Sequence, residues 1–264
     1  MTDPIYGIGP RASGREPEPP QGGSGYLPRR EGDAPDGVNG IRDRKRGRLI
    51  AIEGPDGVGK SEVAAAVGKA LGGCDVISFP RDDAFTGPAI RAYLRRGWRV
   101  EGEEAEDAWS PLAFQSLQLA NQMESMQLIN AELAAGRDVV LCRYSQSALV
   151  YGQIDGLPLE FLERVHASKV QPDLSVLLDA SAETCMARRA RRDGDKQPER
   201  YEAKLERMRQ IVDLYRSLWH REAPFTNRGR WVCVDAEPPL VDVIRNVLAS
   251  VGQRPGHRHN EVMP

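Results

Sequence analysis

The residues with the clearest chemical pattern occupy positions 54–61, which read Gly-Pro-Asp-Gly-Val-Gly-Lys-Ser. This is the G-x-x-x-x-G-K-[ST] pattern of a phosphate-binding loop, or P-loop. Its glycines let the backbone turn N–H groups toward phosphate oxygens, Lys60 supplies a compact positive charge, and the Ser61 hydroxyl can ligate magnesium. The predicted ATP-binding residues are Gly54, Pro55, Asp56, Gly57, Val58, Gly59, Lys60 and Ser61, with Ser61 as the Mg²⁺ ligand.

The elements that flank this motif are the ones a P-loop requires. Residues 49–53 form an apolar strand before it, and residues 61–71 form a helix directly after it, whose N-terminal dipole favours anions. Further strands are predicted at 75–79, 138–142, 174–178 and 231–234, and helical sequence at 106–135, 182–192, 200–221 and 239–251. Strands that alternate with helices predict an α/β fold of three layers, a five-stranded parallel sheet flanked by helices.

Composition and charge argue against several function classes. The net charge of −2 gives no global electrostatic case for a nucleic-acid or membrane partner. No apolar run approaches the roughly 18 residues that cross a bilayer. The four cysteines are scattered without a C-x-x-C pair, so a zinc site is not expected. Because no signal peptide is visible, we expect reduced thiols and a cytoplasmic protein whose partners are small molecules.

Two terminal segments are predicted to be disordered because Pro, Gly and charged residues dominate them. They are residues 1–47 and 253–264, which leaves 48–252 as the folded domain. The first segment ends in a basic cluster at positions 42, 44, 45, 46 and 48. This cluster is interpreted either as a solvated linker or as a nuclear import signal or anion-binding patch, so a nuclear location stays open.

The motifs beyond the P-loop occur in a recognisable order. Phe79-Pro80-Arg81 ends the second strand, residues 142–147 (Cys-Arg-Tyr-Ser-Gln-Ser) end the third, and residues 172–179 contain the fourth. Together with the Glu-Gly-Pro-Asp-Gly-Val-Gly-Lys-Ser run at 53–61, they make residues 48–252 similar to the thymidylate kinase family, within the nucleoside monophosphate kinases. The resemblance implies ATP-dependent phosphorylation of dTMP to dTDP, and many family members are homodimers.

The resemblance also assigns an acceptor site. Arg81 and Arg143 would hold the acceptor's phosphate, since each guanidinium can give paired, charge-assisted hydrogen bonds. Tyr151 matches a position that packs beside the deoxyribose 2′-carbon, while Gln118 and Gln122 fall where the family contacts the base. The implied substrate-binding residues are Arg81, Gln118, Gln122, Arg143, Ser147 and Tyr151.

An arginine-rich run corresponds to the family's mobile lid. It contains Arg188, Arg189, Arg191 and Arg192, followed by Gly194 and an Arg-Tyr-Glu segment at 200–202. Because no arginine lies in the P-loop, lid residues would supply the charge that stabilises the transferring phosphoryl group, although a solvated helical face would show the same residues. The implied catalytic residues are Asp56, Lys60, Arg143, Arg188, Arg189 and Arg192, while Ala236 and Glu237 belong to a loop around the adenine.

The sequence departs from the family pattern at four positions of the site. Cys142 stands where the family has an aspartate near magnesium, and a thiol is a poor ligand for that hard cation, which leaves Asp56 and Glu53 as the acidic residues. Gln118 and Gln122 replace a phenylalanine and an arginine, and a glutamine could read a base edge differently. Ala148 stands where some family members place a polar side chain on the base. Two alternatives therefore stay open, a kinase for another deoxynucleoside monophosphate and a nucleotide-binding protein with little catalysis.

Overall fold

The structure is a computed structural model that describes residues 46–95, 109–194, 204–221, 229–252 and 261–263. The strands are β1 (Leu49–Glu53), β2 (Asp75–Ser78), β3 (Val139–Cys142), β4 (Leu174–Asp179), β5 (Arg230–Asp235) and β6 (Glu261–Met263). The helices are α1 (Lys60–Ala70), α2 (Gly87–Leu94), α3 (Pro111–Met123), α4 (Met126–Ala134), α5 (Ser145–Ile154), α6 (Leu159–His166), α7 (Ala182–Asp193), α8 (Leu205–His220) and α9 (Leu240–Gly252).

The strands pair in parallel in the order β2-β3-β1-β4-β5-β6. β1 lies in the middle, where Ile50 is opposite both Val140 and Leu174. The chain leaves β1 toward one edge of the sheet and leaves β3 toward the other. In an open parallel sheet such a reversal opens a crevice at the carboxyl ends of the strands. The P-loop, Arg81 and Arg143 all follow strand ends, so they lie at this one edge.

The core explains why the central strands have almost continuous apolar sequence. Every residue of β1 and β3 is buried, as expected for strands with helices on both faces. On one face Val176 belongs to a cluster with Val67 of α1 and Val247 of α9. On the other face the next residue, Leu177, packs in a cluster with residues of α5 and α8, among them Tyr215. The predicted three-layer α/β fold is confirmed.

Two members of the basic cluster anchor the start of β1. Arg48 Nη2 lies 2.7 Å from Asp138 Oδ2, and Arg46 Nη1 lies 3.0 Å from Asp173 Oδ2. Asp138 precedes β3 and Asp173 precedes β4, so these ion pairs tie the entry of β1 to both of its neighbours in the sheet. The other members, at 42, 44 and 45, lie outside the described residues.

Three helices were not predicted, and one predicted helical stretch is divided. Residues 111–134 form α3 and α4, with a break at Glu124 and Ser125, while 106–108 lie outside the described residues. Helices α2 and α6 are short, and α5 is buried on nearly all sides. A helix that is buried all round shows no alternation of polar and apolar faces, so its sequence carries no helical period.

The five predicted strands are present, and a sixth extends the sheet beyond β5. Glu261–Met263 pairs with β5, with Val232 opposite Glu261. This segment belongs to the tail that the sequence predicts to be disordered, and three residues are too few to show a strand pattern. The rest of that tail, and residues 1–45 of the predicted N-terminal extension, lie outside the described residues. Among the described helices, none is long and apolar enough to cross a membrane.

A matched pair of truncations tests the burial of the central sheet. Val176→Ala removes two methyl groups from a fully buried position, and we expect it to lower the free energy of unfolding by roughly 2 kcal/mol. Val241→Ala makes the same change at a side chain that is 63% exposed, and it should leave stability within about 0.5 kcal/mol. Urea denaturation measures both, and equal losses would contradict this description of the core.

Candidate active site

The P-loop needs its glycines because it packs closely on the ends of neighbouring elements. Gly54 and Gly57 have φ angles of 138° and 86°, which side chains other than glycine rarely adopt. A Cβ at Gly57 would lie 2.3 Å from the carbonyl oxygen of Cys185 on α7, and one at Gly54 would lie 2.6 Å from the carbonyl oxygen of Leu178 on β4. The loop therefore packs closely against β4 and α7.

Lys60 and Ser61 begin α1 at the end of this loop. The Lys60 ammonium folds back over the loop, where it donates to the Pro55 carbonyl at 2.6 Å and lies 3.8 Å from Asp56 Oδ1. Lys60 is almost completely buried, and this burial lowers the pKa of its side chain. An ammonium over a Gly-rich loop at a helix N-terminus is the arrangement that binds the terminal phosphates of a nucleotide.

The Asp56 carboxylate connects the P-loop to the segment after β3. It forms an ion pair with Arg143 and accepts a hydrogen bond from the Tyr151 hydroxyl at 3.2 Å. Arg143 has a φ of 66°, an uncommon conformation for a residue other than glycine. Arg143 follows β3 and lets the chain turn into α5, and backbone strain of this kind is concentrated at functional sites.

A second carboxylate, that of Glu53, lies beneath the loop and is fully buried. It accepts hydrogen bonds from the Tyr144 backbone N–H at 2.8 Å and from the Ser147 hydroxyl at 2.5 Å. The Ser147 hydroxyl is also 2.8 Å from the Tyr215 hydroxyl on α8. Burial raises the pKa of Glu53, and these hydrogen bonds oppose the rise. The structure thus gives the Ser147 hydroxyl two protein partners, although Ser147 also lines the cleft described below.

Hydrogen bonds to Asn121 on α3 hold the backbone of Arg81 in place. Its backbone N–H donates to Asn121 Oδ1 at 2.7 Å, and Asn121 Nδ2 donates back to the Arg81 carbonyl at 3.0 Å. The guanidinium bonds Asp83 at 2.7 Å and the Ser125 hydroxyl at 3.2 Å. Asn121 on α3 therefore fixes the backbone at Arg81, while Ser125, in the break between α3 and α4, contacts the guanidinium.

The predicted base-contacting residues lie on one face of α3. This helix begins at a Ser110 cap followed by a proline, a favourable helix start. Gln118 and Gln122 are four residues apart, so they share a face. The Gln122 amide donates to the Tyr144 carbonyl at 3.4 Å and accepts from the ammonium of Lys169.

These residues enclose one cleft of about 1140 Å³ at the carboxyl edge of the sheet. The predicted residues that line it are Asp56, Ser61, Arg81, Gln118, Gln122, Cys142, Arg143, Ser147, Ala148, Tyr151 and Arg192. The cleft therefore brings together residues of the P-loop, the predicted phosphate-binding residues Arg81 and Arg143, and Arg192 at the end of α7.

The lid arginines separate into different positions. Arg192 lines the cleft and bonds Asp193 at 2.7 Å, while Arg189 is largely buried with its Nε 3.7 Å from the Asp193 carboxylate. Arg188 instead donates to the carbonyl groups of residues 236, 237 and 238, at 2.6 to 3.3 Å. The structure thus places Arg188 at the predicted adenine loop, and its predicted role in catalysis stays a prediction. The Arg-Tyr-Glu segment at 200–202 lies outside the described residues.

The side chains of the predicted adenine loop also have protein partners. Glu237 accepts from the Ser181 backbone N–H at 2.6 Å and from the Thr184 hydroxyl at 2.7 Å, and Ala236 is fully buried. The Glu237 carboxylate therefore lies at the N-terminus of α7. A contribution from these two residues to adenine binding would come from the backbone.

The protein groups near Ser61 limit how magnesium could be held. The Ser61 hydroxyl lies 4.0 Å from the Cys142 sulfur, and burial raises the pKa of that thiol, so it stays protonated at neutral pH. Both carboxylate oxygens of Asp56 already have partners. A Mg²⁺ ion coordinated mainly by phosphate oxygens and water, with the Ser61 hydroxyl as its protein ligand, fits these donors.

Sequence reasoning missed four polar residues that support the site. Asn121 and Ser125 hold Arg81, Tyr215 contacts Ser147, and Lys169 contacts Gln122. None belongs to a short motif, and each is distant in sequence from its partner. The one available signal was Asn121 and Ser125 at helical spacing from Gln118 and Gln122 on the same predicted helix.

Comparison with known proteins gives consistent matches. The family model for thymidylate kinase matches residues 52–247. A thymidylate kinase of Arabidopsis thaliana is 30% identical over 208 residues, 77% of this chain and 70% of that protein. A probable thymidylate kinase of Pyrobaculum calidifontis is 28% identical over 77% of this chain and 95% of its own length. The solved structure of thymidylate kinase from Candida albicans matches the fold with a TM-score of 0.61 at 24% identity, covering 78% of this chain and 91% of that one.

The burial of Lys169 leads to a prediction about how the free energy of unfolding depends on pH. Burial lowers the pKa of Lys169 to about 7, although the charge of Glu53 opposes this change, and burial lowers the pKa of His166 to about 3. Between about pH 7 and 10 the unfolded chain therefore binds a proton at Lys169 that the folded chain lacks, so this residue makes the free energy of unfolding rise with pH. In Lys169→Met the rise from pH 7 to pH 9 should be smaller by roughly 2 kcal/mol.

Urea denaturation at the two pH values measures this difference. Lys69→Met, at an exposed lysine on α1, is the matched control and should keep the pH dependence of the unsubstituted protein. The same pH dependence in Lys169→Met as in the control would contradict a suppressed charge at Lys169.

Proposed function

The chain belongs to the thymidylate kinase family of phosphotransferases, which act on dTMP with ATP, and we propose that its cleft transfers the γ-phosphate of MgATP to dTMP. The products are ADP and dTDP. The observation that carries this proposal is the shared cleft, in which Asp56 and Ser61 of a P-loop face Arg81 and Arg143 at the ends of two other strands. A nucleotide on the P-loop and a phosphate between the two arginines would meet there.

The donor side is built by backbone groups and one ammonium. The loop N–H groups and the Lys60 side chain would bind the β- and γ-phosphates, and the Ser61 hydroxyl would ligate Mg²⁺. Magnesium, when bound, neutralises charge on the transferring phosphoryl group. In the structure Lys60 bonds the Pro55 carbonyl, so we expect it to exchange this weaker acceptor for phosphate oxygens.

The acceptor side is built by guanidinium groups that already have anionic partners. Arg81 bonds Asp83, and Arg143 bonds Asp56. Each guanidinium has five N–H groups in a planar fork, so it can keep an aspartate and still bind phosphate. Together they would aim the acceptor oxygen at the γ-phosphate, and this positioning is the main contribution an enzyme makes to phosphoryl transfer.

The remaining roles concern the transition state and the sugar. Arg192 lines the cleft, and we assign it the charge that stabilises the transferring group when α7 closes over the nucleotide. Such closure would exclude water, which otherwise competes as the acceptor. Tyr151 lines the cleft and donates a hydrogen bond to Asp56, and there it would pack against the deoxyribose. Assembly as a homodimer stays a prediction from the resemblance, and a cytoplasmic location stays a prediction from the sequence.

A lysine truncation tests the assignment of the P-loop. We expect Lys60→Ala to lower turnover of MgATP and dTMP by roughly 100-fold or more, because a charge that acts in the transition state is lost. Lys69→Ala, on the exposed side of the same helix, should keep normal turnover. ADP release measures both, with each common deoxynucleoside and ribonucleoside monophosphate as acceptor. Near-normal turnover in Lys60→Ala would overturn the proposal, and a preferred acceptor other than dTMP would favour another nucleotide substrate.

A substitution at Cys142 tests how magnesium is held. We expect Cys142→Asp to lower the Mg²⁺ concentration needed for half-maximal turnover, since it places a carboxylate oxygen beside Ser61. Cys142→Asn has the same shape without the charge and should leave that concentration unchanged. Titration of turnover with MgCl₂ gives both values. Lower turnover in Cys142→Asp with an unchanged Mg²⁺ requirement would show that the thiol belongs to a differently tuned site.

A further inference from the structure

A buried lysine lies directly behind the wall of the cleft that carries Gln118 and Gln122. Lys169 belongs to the segment between α6 and β4, and only 3% of it is exposed. Its ammonium donates to Gln122 Oε1 and lies 4.2 Å from the centroid of the Tyr144 ring. Burying a charged side chain is costly without such partners, so Lys169 and Gln122 must be considered as a unit.

The surroundings of Lys169 keep it against the amide. Gln171 Nε2 donates to the Lys169 carbonyl at 3.0 Å, and the Tyr144 hydroxyl donates to the neighbouring Val170 carbonyl at 3.0 Å. The negative charge of Glu53 favours the ammonium form. Both the backbone and the charge of Lys169 are therefore fixed at this position.

The chemistry of an ammonium decides which way the Gln122 amide faces. An ammonium has three donors and no acceptor, so it can bond only the carbonyl end of the amide, and the network assigns Oε1 to Lys169. The Nε2 end then lies on the other side, where one N–H donates to the Tyr144 carbonyl at 3.4 Å. The second N–H has no partner in the described part of the chain, and Gln122 lines the cleft.

We infer that Lys169 is a positioning residue for base selection, because it fixes Gln122 so that an N–H rather than a carbonyl faces the acceptor base. An N–H in the cleft matches the carbonyl at position 4 of thymine, whereas cytosine presents an amino group there. The inference rests on the proposed function, since it requires the acceptor base to lie against Gln122. It extends that function because it assigns the preference for thymine over cytosine to a residue that lies outside the cleft.

Gln118 shows what the same side chain does without such a partner. It lines the cleft one helical turn before Gln122, and no hydrogen bond to it occurs among the described residues. Its amide can turn either end toward a base, so it can accept or donate equally well. Discrimination at position 4 therefore falls to Gln122.

The experiment compares two acceptors whose bases differ only at position 4 and at the adjacent N3, which carries a hydrogen in thymine and a lone pair in cytosine. They are dTMP and 5-methyl-dCMP, which carry the same methyl group. The ratio of their kcat/KM values is measured at pH 6.5, below the pKa of Lys169 of about 7. In Lys169→Met the amide is free to turn, so we expect this ratio to fall about tenfold, with the value for 5-methyl-dCMP rising. The ratio of dTMP to dUMP, which differ in the methyl group alone, should stay unchanged.

A second variant keeps the contact with Lys169 and reverses the group in the cleft. Gln122→Glu places a carboxylate beside the ammonium and removes the N–H, so the preference should shift toward 5-methyl-dCMP by about tenfold. Gln127→Glu, at an exposed glutamine on α4, is the matched control and should leave this preference unchanged. This variant also tests the inference if Lys169→Met fails to fold.

The outcomes separate this inference from the proposed function. No turnover of dTMP by the unsubstituted protein would overturn the proposed function itself. Normal turnover, together with an unchanged dTMP to 5-methyl-dCMP ratio in Lys169→Met and in Gln122→Glu, would overturn the inference alone. Equal loss of kcat/KM for both acceptors in Lys169→Met would also overturn it, since that result indicates a purely structural lysine.

Discussion

The buried carboxylate of Glu53 is the constraint on which the geometry of the cleft depends. It ends β1, one residue before the P-loop, and it bonds the Tyr144 N–H and the Ser147 hydroxyl at the start of α5. An ionised carboxylate in an apolar interior is unstable without donors of this kind. The donor loop after β1 and Arg143 after β3 are thus held in a fixed relation, because moving either one would leave the charge without partners.

Three arginines that line the cleft form ion pairs with aspartates. Arg81 is bonded to Asp83, Arg143 to Asp56, and Arg192 to the adjacent Asp193. In the absence of nucleotide these carboxylates limit repulsion between cations that face one space. A phosphate that enters the cleft would find guanidinium groups already oriented, so less side-chain entropy is lost on binding. This arrangement favours positioning, the contribution that phosphoryl transfer requires most.

The fold and the donor half of the site could be predicted from the sequence because their signals are local. The P-loop occupies consecutive residues, and the continuous apolar run of β3 identifies a buried parallel strand. The supporting contacts could not be predicted, since Lys169 meets Gln122 across 47 positions and Ser147 meets Tyr215 across 68. The contacts of Arg188 could not be predicted either, because a run of arginines on one helix does not show which of them turns to a neighbouring loop.

The most direct test follows the transferred phosphate itself. The protein is incubated with magnesium, dTMP and ATP that carries a radioactive γ-phosphate, and the labelled products are separated. We expect the label to appear in dTDP and little of it as inorganic phosphate, because the proposed cleft would aim the acceptor and exclude water. Label that is released mainly as inorganic phosphate, or that stays in ATP while the protein binds both nucleotides, would contradict this expectation.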